Sequence, residues 1–133
     1  MSKIKCSLFA MYLTVLLKLT VFRDTTMAER QVNLKLFSNY INVLREGGIF
    51  RFVWLFFGNL GWFVPWGFFV PMIIKKSNFL TTVFSGFVFS LIIEALQFAL
   101  KKGFFEIDDL ILNTLGTALG YGLYKLWELW VKK

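Results

Sequence analysis

The chain has 133 residues, a net charge of +7 and a hydrophobic content of 57%, with 17 phenylalanines among its aromatic residues. A soluble domain this small has too little interior to hide so much apolar surface, and disordered chains are poor in aromatics, so both classes are excluded. With no histidine and one cysteine, Cys6, the chain offers no imidazole for acid–base or metal chemistry, no internal disulfide and no cysteine-rich zinc site.

The basic residues flank apolar segments, which is the placement of membrane anchors. Nucleic acid is not expected as a partner. A bilayer core requires about 20 mostly apolar residues per helix. Four segments approach or reach that length, and the expected fold is an all-α, polytopic four-transmembrane-helix bundle forming a single domain over residues 1–133.

The first segment spans 7–22 and carries one charge, Lys18. A basic start (Lys3, Lys5) before a short apolar run also describes a signal peptide. Thr26-Met27-Ala28 is a poor cleavage site and Lys18 interrupts the run, so the segment reads as a retained helix. A long loop follows, in which 38–46 is expected to form a short interfacial helix with Tyr40, Ile41 and Leu44 on one face and Gly47-Gly48 ending it. The second segment, 52–74, is uncharged and contains Pro65 and Pro71, each expected to bend it. The third, 79–100, carries one charge, Glu94. The fourth, 109–130, is uncharged from Leu110 to Tyr124, and Lys125 can snorkel to the interface.

Four crossings place both termini and the turn 75–78 on one side, and the long loop and the turn 101–107 on the other. Lys3, Lys5, Lys75, Lys76, Lys125, Lys132 and Lys133 balance Arg23, Arg30, Lys35, Arg45, Arg51, Lys101 and Lys102, so basic residues alone do not orient the protein.

Polar residues inside membrane segments are few, and they fall together. Because successive helices alternate direction, Arg23, Asn59, Glu94, Gln97, Asp108, Asp109 and Asn113 all lie on the long-loop side. At a rise of about 1.5 Å per residue they sit within roughly 10 Å of that interface. Gly86, Ser90, Glu94 and Gln97 share one face of the third helix, and Asp109, Asn113, Gly116 and Gly120 share one face of the fourth. Gly116 and Gly120 form a small-xxx-small pair that admits a neighbouring helix. The two faces are expected to meet, with Glu94 near Asn113 and the acidic end near Gln97.

A structural account is available: amides and acids fix helix register, Arg23 neutralises Asp108 or Asp109, and these acids cap the fourth helix. Taken together the groups exceed what register needs, and they point to a leaflet-deep polar pocket. Glu94 is the sharpest case, since an unpaired carboxylate in hydrocarbon must take a proton or find a cation.

The same residues carry a family resemblance. Asn33-Leu34-Lys35-Leu36-Phe37 is followed by Gly58-Asn59-Leu60 and by Phe63-Val64-Pro65-Trp66-Gly67-Phe68. Ser90-Leu91-Ile92-Ile93-Glu94-Ala95-Leu96-Gln97 and Asp108-Asp109-Leu110-Ile111-Leu112-Asn113-Thr114-Leu115-Gly116 come next, with Gly120-Tyr121 beyond. In this order the chain resembles the VanZ-like family of bacterial membrane proteins. It departs from the family's Asn-Leu-Ile-Pro-Phe by lacking the proline. It also inserts Lys101-Lys102-Gly103-Phe104-Phe105-Glu106 where the family has a basic residue shortly before the Asp-Asp pair.

The resemblance implies a multi-pass protein of the bacterial cytoplasmic membrane, linked through the family's name-giving member to low-level teicoplanin resistance. An agent acting outside the membrane would place the polar side outward and the termini in the cytoplasm. Three functions then compete. One is a non-enzymatic envelope protein whose pocket binds a lipid headgroup, a lipid-linked precursor or the lipoglycopeptide. A second is a membrane enzyme acting on lipid-linked substrates, with Glu94 as acid or base, Asp108 and Asp109 holding a divalent cation, and Arg23 on phosphate. A third is a translocating unit, which requires self-association because four helices make a thin wall.

Overall fold

A computed structural model describes residues 2–133. Five helical segments and one pair of two-residue strands follow in chain order: α1 (Ser2–Thr20), β1 (Val32–Asn33), α2 (Ser38–Trp62), α3 (Val64–Ile73), α4 (Phe79–Ala99), β2 (Phe105–Glu106) and α5 (Ile107–Val131). Helix α5 is the central element, packed along α2, α3 and α4, and α1 lies against α3 and α4.

The fold is helical, as the apolar segments predict, but the boundaries differ instructively. Helix α1 begins at Ser2 and ends at Thr20, and Val21 and Phe22 close it with a turn onto the Leu17 carbonyl at 2.9 Å each. The helix expected over 38–46 does not end in a loop. Gly48 takes φ 74° and ψ 174°, a conformation that glycine alone adopts without strain, and the chain resumes helix at once. Gly48 is therefore a corner between two helical stretches. The face expected to unite Tyr40, Ile41 and Leu44 is also split, with Tyr40 buried and the other two exposed.

The segment expected over 52–74 divides at Phe63. Pro65, in the first turn of α3, has no N–H for the Gly61 carbonyl, so α2 stops and α3 restarts with the proline where it is tolerated. The Tyr12 hydroxyl donates to the Trp62 carbonyl at this break, at 2.7 Å. Pro71 sits buried within the last turn of α3. Helix α4 opens with a capping box, in which Asn78 accepts from the Thr81 amide at 2.9 Å and Thr81 Oγ1 accepts from the Asn78 amide at 2.8 Å.

Close helix approach depends on glycine. A methyl at Gly67 would overlap the Thr117 carbonyl oxygen, one at Gly116 the Leu60 oxygen, and one at Gly120 the Val64 oxygen. Gly116 and Gly120 thus face α2 and α3, and not α4 as expected from sequence. The α4–α5 approach is made instead by Gly86, which abuts the Thr117 side chain. Positions 113 and 117 form one stripe on α5 and positions 116 and 120 the adjacent one, so one helix serves two neighbours.

The burial pattern is inverted relative to a soluble protein. Glu94, Gln97, Asp108, Asn113, Ser90, Thr82 and Thr117 are buried, while leucine, isoleucine and phenylalanine side chains of α4 and α5 cover the exterior. The compact apolar cluster of Leu16, Val21, Phe63 and Ile93 lies where α1, α3 and α4 meet, with Trp66 and Phe89 stacked beside it at 4.3 Å. By length and composition, α2–α3 (Ser38–Ile73) and α4 (Phe79–Ala99) can cross a bilayer.

The loops on the site side are joined. Strands β1 and β2 pair in parallel, Val32 with Phe105 and Asn33 with Glu106, an element absent from the all-helical expectation. The Met27 amide donates to the Lys101 carbonyl at 2.7 Å and the Phe105 amide to the Gln31 carbonyl at 3.0 Å. These bonds draw the loop after α1 over the turn before α5.

Candidate functional site: a polar cavity beneath the paired loops

Six of the seven polar residues that the sequence is expected to gather on one side line a single cavity of about 230 Å³: Arg23, Asn59, Glu94, Gln97, Asp109 and Asn113. Leu16, Leu19, Trp62, Phe63 and Ile93 complete its wall with Thr20. The six side chains arrive from four parts of the chain. Arg23 follows the closing turn of α1, Asn59 lies one turn before the α2 break, Glu94 and Gln97 share the inward face of α4, and Asp109 and Asn113 lie one turn apart on α5.

Most of these groups are tethered. Asn59 Nδ2 donates to the Tyr40 hydroxyl at 2.6 Å and to Asp109 Oδ1 at 3.2 Å. Gln97 Nε2 donates to the Thr20 carbonyl at 3.2 Å, which holds α4 to the end of α1. Asn113 Nδ2 donates to Ser90 Oγ at 2.8 Å, so Ser90 stands behind the cavity as an anchor for Asn113. Glu94 Oε2 accepts the Glu106 backbone N–H at 3.1 Å. Glu94 and Asn113 line the cavity together, and Gln97 shares it with Asp109 while bonding to α1.

Asp108 is the residue that does not join. Both its oxygens accept the Phe37 amide, at 2.8 and 3.0 Å. Phe37 is the residue before α2 and has φ 54°, so Asp108 satisfies the backbone at the start of α2 instead of capping its own helix. The N-cap of α5 is Glu106, which makes no side-chain cap bond. Asp108 is therefore engaged by the Phe37 amide and is not among the residues that line the cavity with Asp109. Among the described residues no three His, Cys, Asp or Glu side chains group closely enough to hold a metal ion.

Arg23 does not neutralise either aspartate by contact. Among the described residues it forms no ion pair within 4.0 Å, and its Nε is buried with no hydrogen-bond partner. Its guanidinium rests against Gly103, where any side chain would displace it.

Glu106, at the loop edge of the site, accepts from Asn39 Nδ2. Burial, aided by the Asp108 charge, pushes its carboxyl above the ordinary value, and hydrogen bonds from Asn33 and Asn39 oppose the shift.

Several participants carry no periodic signal. Thr20 contributes through its backbone, and nothing in the spacing links Tyr40 or Glu106 to Asn59 or Glu94. The buried Thr117 does carry such a signal, since it follows Asn113 by four positions on the same stripe. A second cavity, of about 350 Å³, lies across the Asn59–Tyr40 bond and is lined by Asn39, Asn42, Glu46 and Arg51 among others.

No curated protein and no solved structure gives a significant match to the chain. A family model does match, and the match extends from within α1 to near the end of α5. The apolar exterior, the two helices long enough to cross a bilayer and this match together make it a membrane protein. The chain belongs to the VanZ/LLP1 family, which it matches over residues 9–128.

Proposed function

We propose that the protein is a multi-pass component of the bacterial cytoplasmic membrane, crossing it four times through α1, α2–α3, α4 and α5. Its termini lie in the cytoplasm and its polar cavity opens outward. There it binds a lipid headgroup or a lipid-linked ligand and lowers susceptibility to glycopeptides such as teicoplanin. One observation carries the reading: a single cavity gathers an arginine, two carboxylates and three amides inside a bundle whose exterior is apolar. Ionisable groups are costly in a membrane interior and are retained there chiefly for function.

The test compares teicoplanin susceptibility in cells lacking the gene, carrying it, and carrying Glu94→Gln at matched membrane abundance. The reading expects reduced susceptibility with the wild-type protein and loss of the effect in the variant. Equal susceptibility in all three would overturn it. Cysteine labelling at residues 46 and 76 from outside the cell tests the orientation, with residue 46 reactive and residue 76 protected.

An enzymatic role on lipid-linked substrates is the second reading. It is favoured by the burial of Glu94 in a cavity shared with Asp109 and Arg23. Glu94 would serve as general acid or base, Arg23 would contact phosphate, and any cation would rest on Asp109 and Glu94 without Asp108. Conversion of a lipid-linked substrate by the purified protein, abolished by Glu94→Gln, would distinguish it.

A further inference from the structure

We propose that the cavity holds a zwitterionic group, a primary ammonium joined by a short linker to a phosphate, with the ammonium against Glu94 and Asp109 and the phosphate against Arg23. This assignment rests on the pocket reading above and names the class of ligand.

Its basis is the distribution of donors and acceptors. The amide nitrogens of Asn59, Gln97 and Asn113 all donate to protein acceptors. Glu94 uses Oε2 and Asp109 uses Oδ1. Among the described residues this leaves Glu94 Oε1, Asp109 Oδ2, Gln97 Oε1 and Asn113 Oδ1 without a protein donor. The opposing group is the Arg23 guanidinium, which lines the cavity and, among the described residues, donates to no protein acceptor and forms no ion pair. The cavity therefore combines several unfilled acceptors with a cationic donor that has no protein acceptor.

Opposite charges that share a poorly solvated space yet do not pair are unfavourable unless an occupant complements both. A bare cation would satisfy the carboxylates but repel Arg23 and leave the guanidinium without an acceptor. A simple phosphate would satisfy Arg23 but face two carboxylates. A group with both signs answers both demands. A primary ammonium brings three N–H donors to the free oxygens, as the lysine head does, whereas a quaternary ammonium brings none. The volume of about 230 Å³ admits a group of several heavy atoms. On the rim, Leu19 and Trp62 are exposed at 52% and 38%, so acyl chains attached to the ligand have apolar surface to follow.

The full chain in nanodiscs is titrated with phosphatidylethanolamine, phosphatidylglycerol and phosphatidylcholine of matched acyl chains, and with soluble phosphoethanolamine as competitor. The ethanolamine lipid should bind about tenfold more tightly than the other two. Arg23→Gln and the double variant Glu94→Gln/Asp109→Asn should each abolish that preference while retaining the wild-type helical content. Competition by soluble phosphoethanolamine supports the assignment with the headgroup alone as ligand. Competition by the ethanolamine lipid only supports it with the lipid as source. If Arg23→Gln does not fold, Gly103→Ala, which displaces the guanidinium and keeps its charge, should give the same loss. Equal binding of the glycerol and ethanolamine lipids, both weakened by the variants, would overturn the zwitterion and leave the pocket standing. Binding indifferent to every cavity variant would overturn both.

Discussion

Asp108 accepts the Phe37 amide with both carboxylate oxygens, at 2.8 and 3.0 Å, while its neighbour Asp109 accepts from Asn59 at 3.2 Å. Two adjacent acids thus divide their work, one holding the start of α2 and one lining the cavity. Asp108→Ala leaves the half-buried Phe37 amide without its acceptor. A charge-assisted bond of this kind contributes roughly 1.5–3 kcal/mol. Thermal unfolding in detergent should show that loss for Asp108→Ala, with ligand affinity of the folded fraction unchanged. Loss of affinity in folded Asp108→Ala protein would contradict the division of roles.

The glycine contacts give a second test. Gly67→Ala, Gly116→Ala and Gly120→Ala each drive a methyl into a carbonyl of the facing helix. Overpacking of this sort costs about 1–3 kcal/mol, and backbone contacts have little freedom to yield. Each variant should lower the thermal midpoint and raise protease sensitivity. Gly122→Ala meets nothing within 4 Å and should be neutral or slightly stabilising, because alanine favours helix.

Ser90 and Asn113 join α4 to α5 behind the cavity at 2.8 Å. Hydrogen bonds between membrane helices contribute about 0.6–2 kcal/mol. A double-mutant cycle with Ser90→Ala and Asn113→Ala should recover a coupling energy in that range, read by unfolding in mixed micelles. A coupling of zero would show that the bond adds no stability.

Glu106 gives a pH dependence of defined sign. Its carboxyl is raised above the ordinary value by burial and then by the Asp108 charge, so the fold favours the protonated form. The associated stability is fully present below the ordinary carboxylate value and is lost as pH rises through the raised one. Wild-type protein should therefore lose more stability than Glu106→Gln across that interval. Parallel melting curves for the two proteins at every pH would refute the assignment.

Much of the organisation was legible in the chain. The spacing of Glu94 and Gln97 and of Asp109 and Asn113 set inward stripes, and helix alternation brought Arg23 and Asn59 to the same side. Those inferences rest on periodicity and chain direction, which are local properties. Asp108 misled because sequence assigns it the same position as Asp109, and only the approach of Phe37, 71 residues away, separates them. Tyr40 misled because its apolar ring fits a membrane-surface face, whereas its hydroxyl finds Asn59 across the Gly48 corner.

The sequence by itself determined that the protein is a helical membrane protein of a recognisable family, since composition and helical period follow from residue type alone. Tertiary structure decided that Gly116 and Gly120 seat α2 and α3, that Phe63 breaks the second segment, that the two loops pair as strands, and that Arg23 shares a cavity with two acids without contacting them. These are long-range outcomes of packing, and no local pattern encodes the distance between side chains that meet only when the helices do.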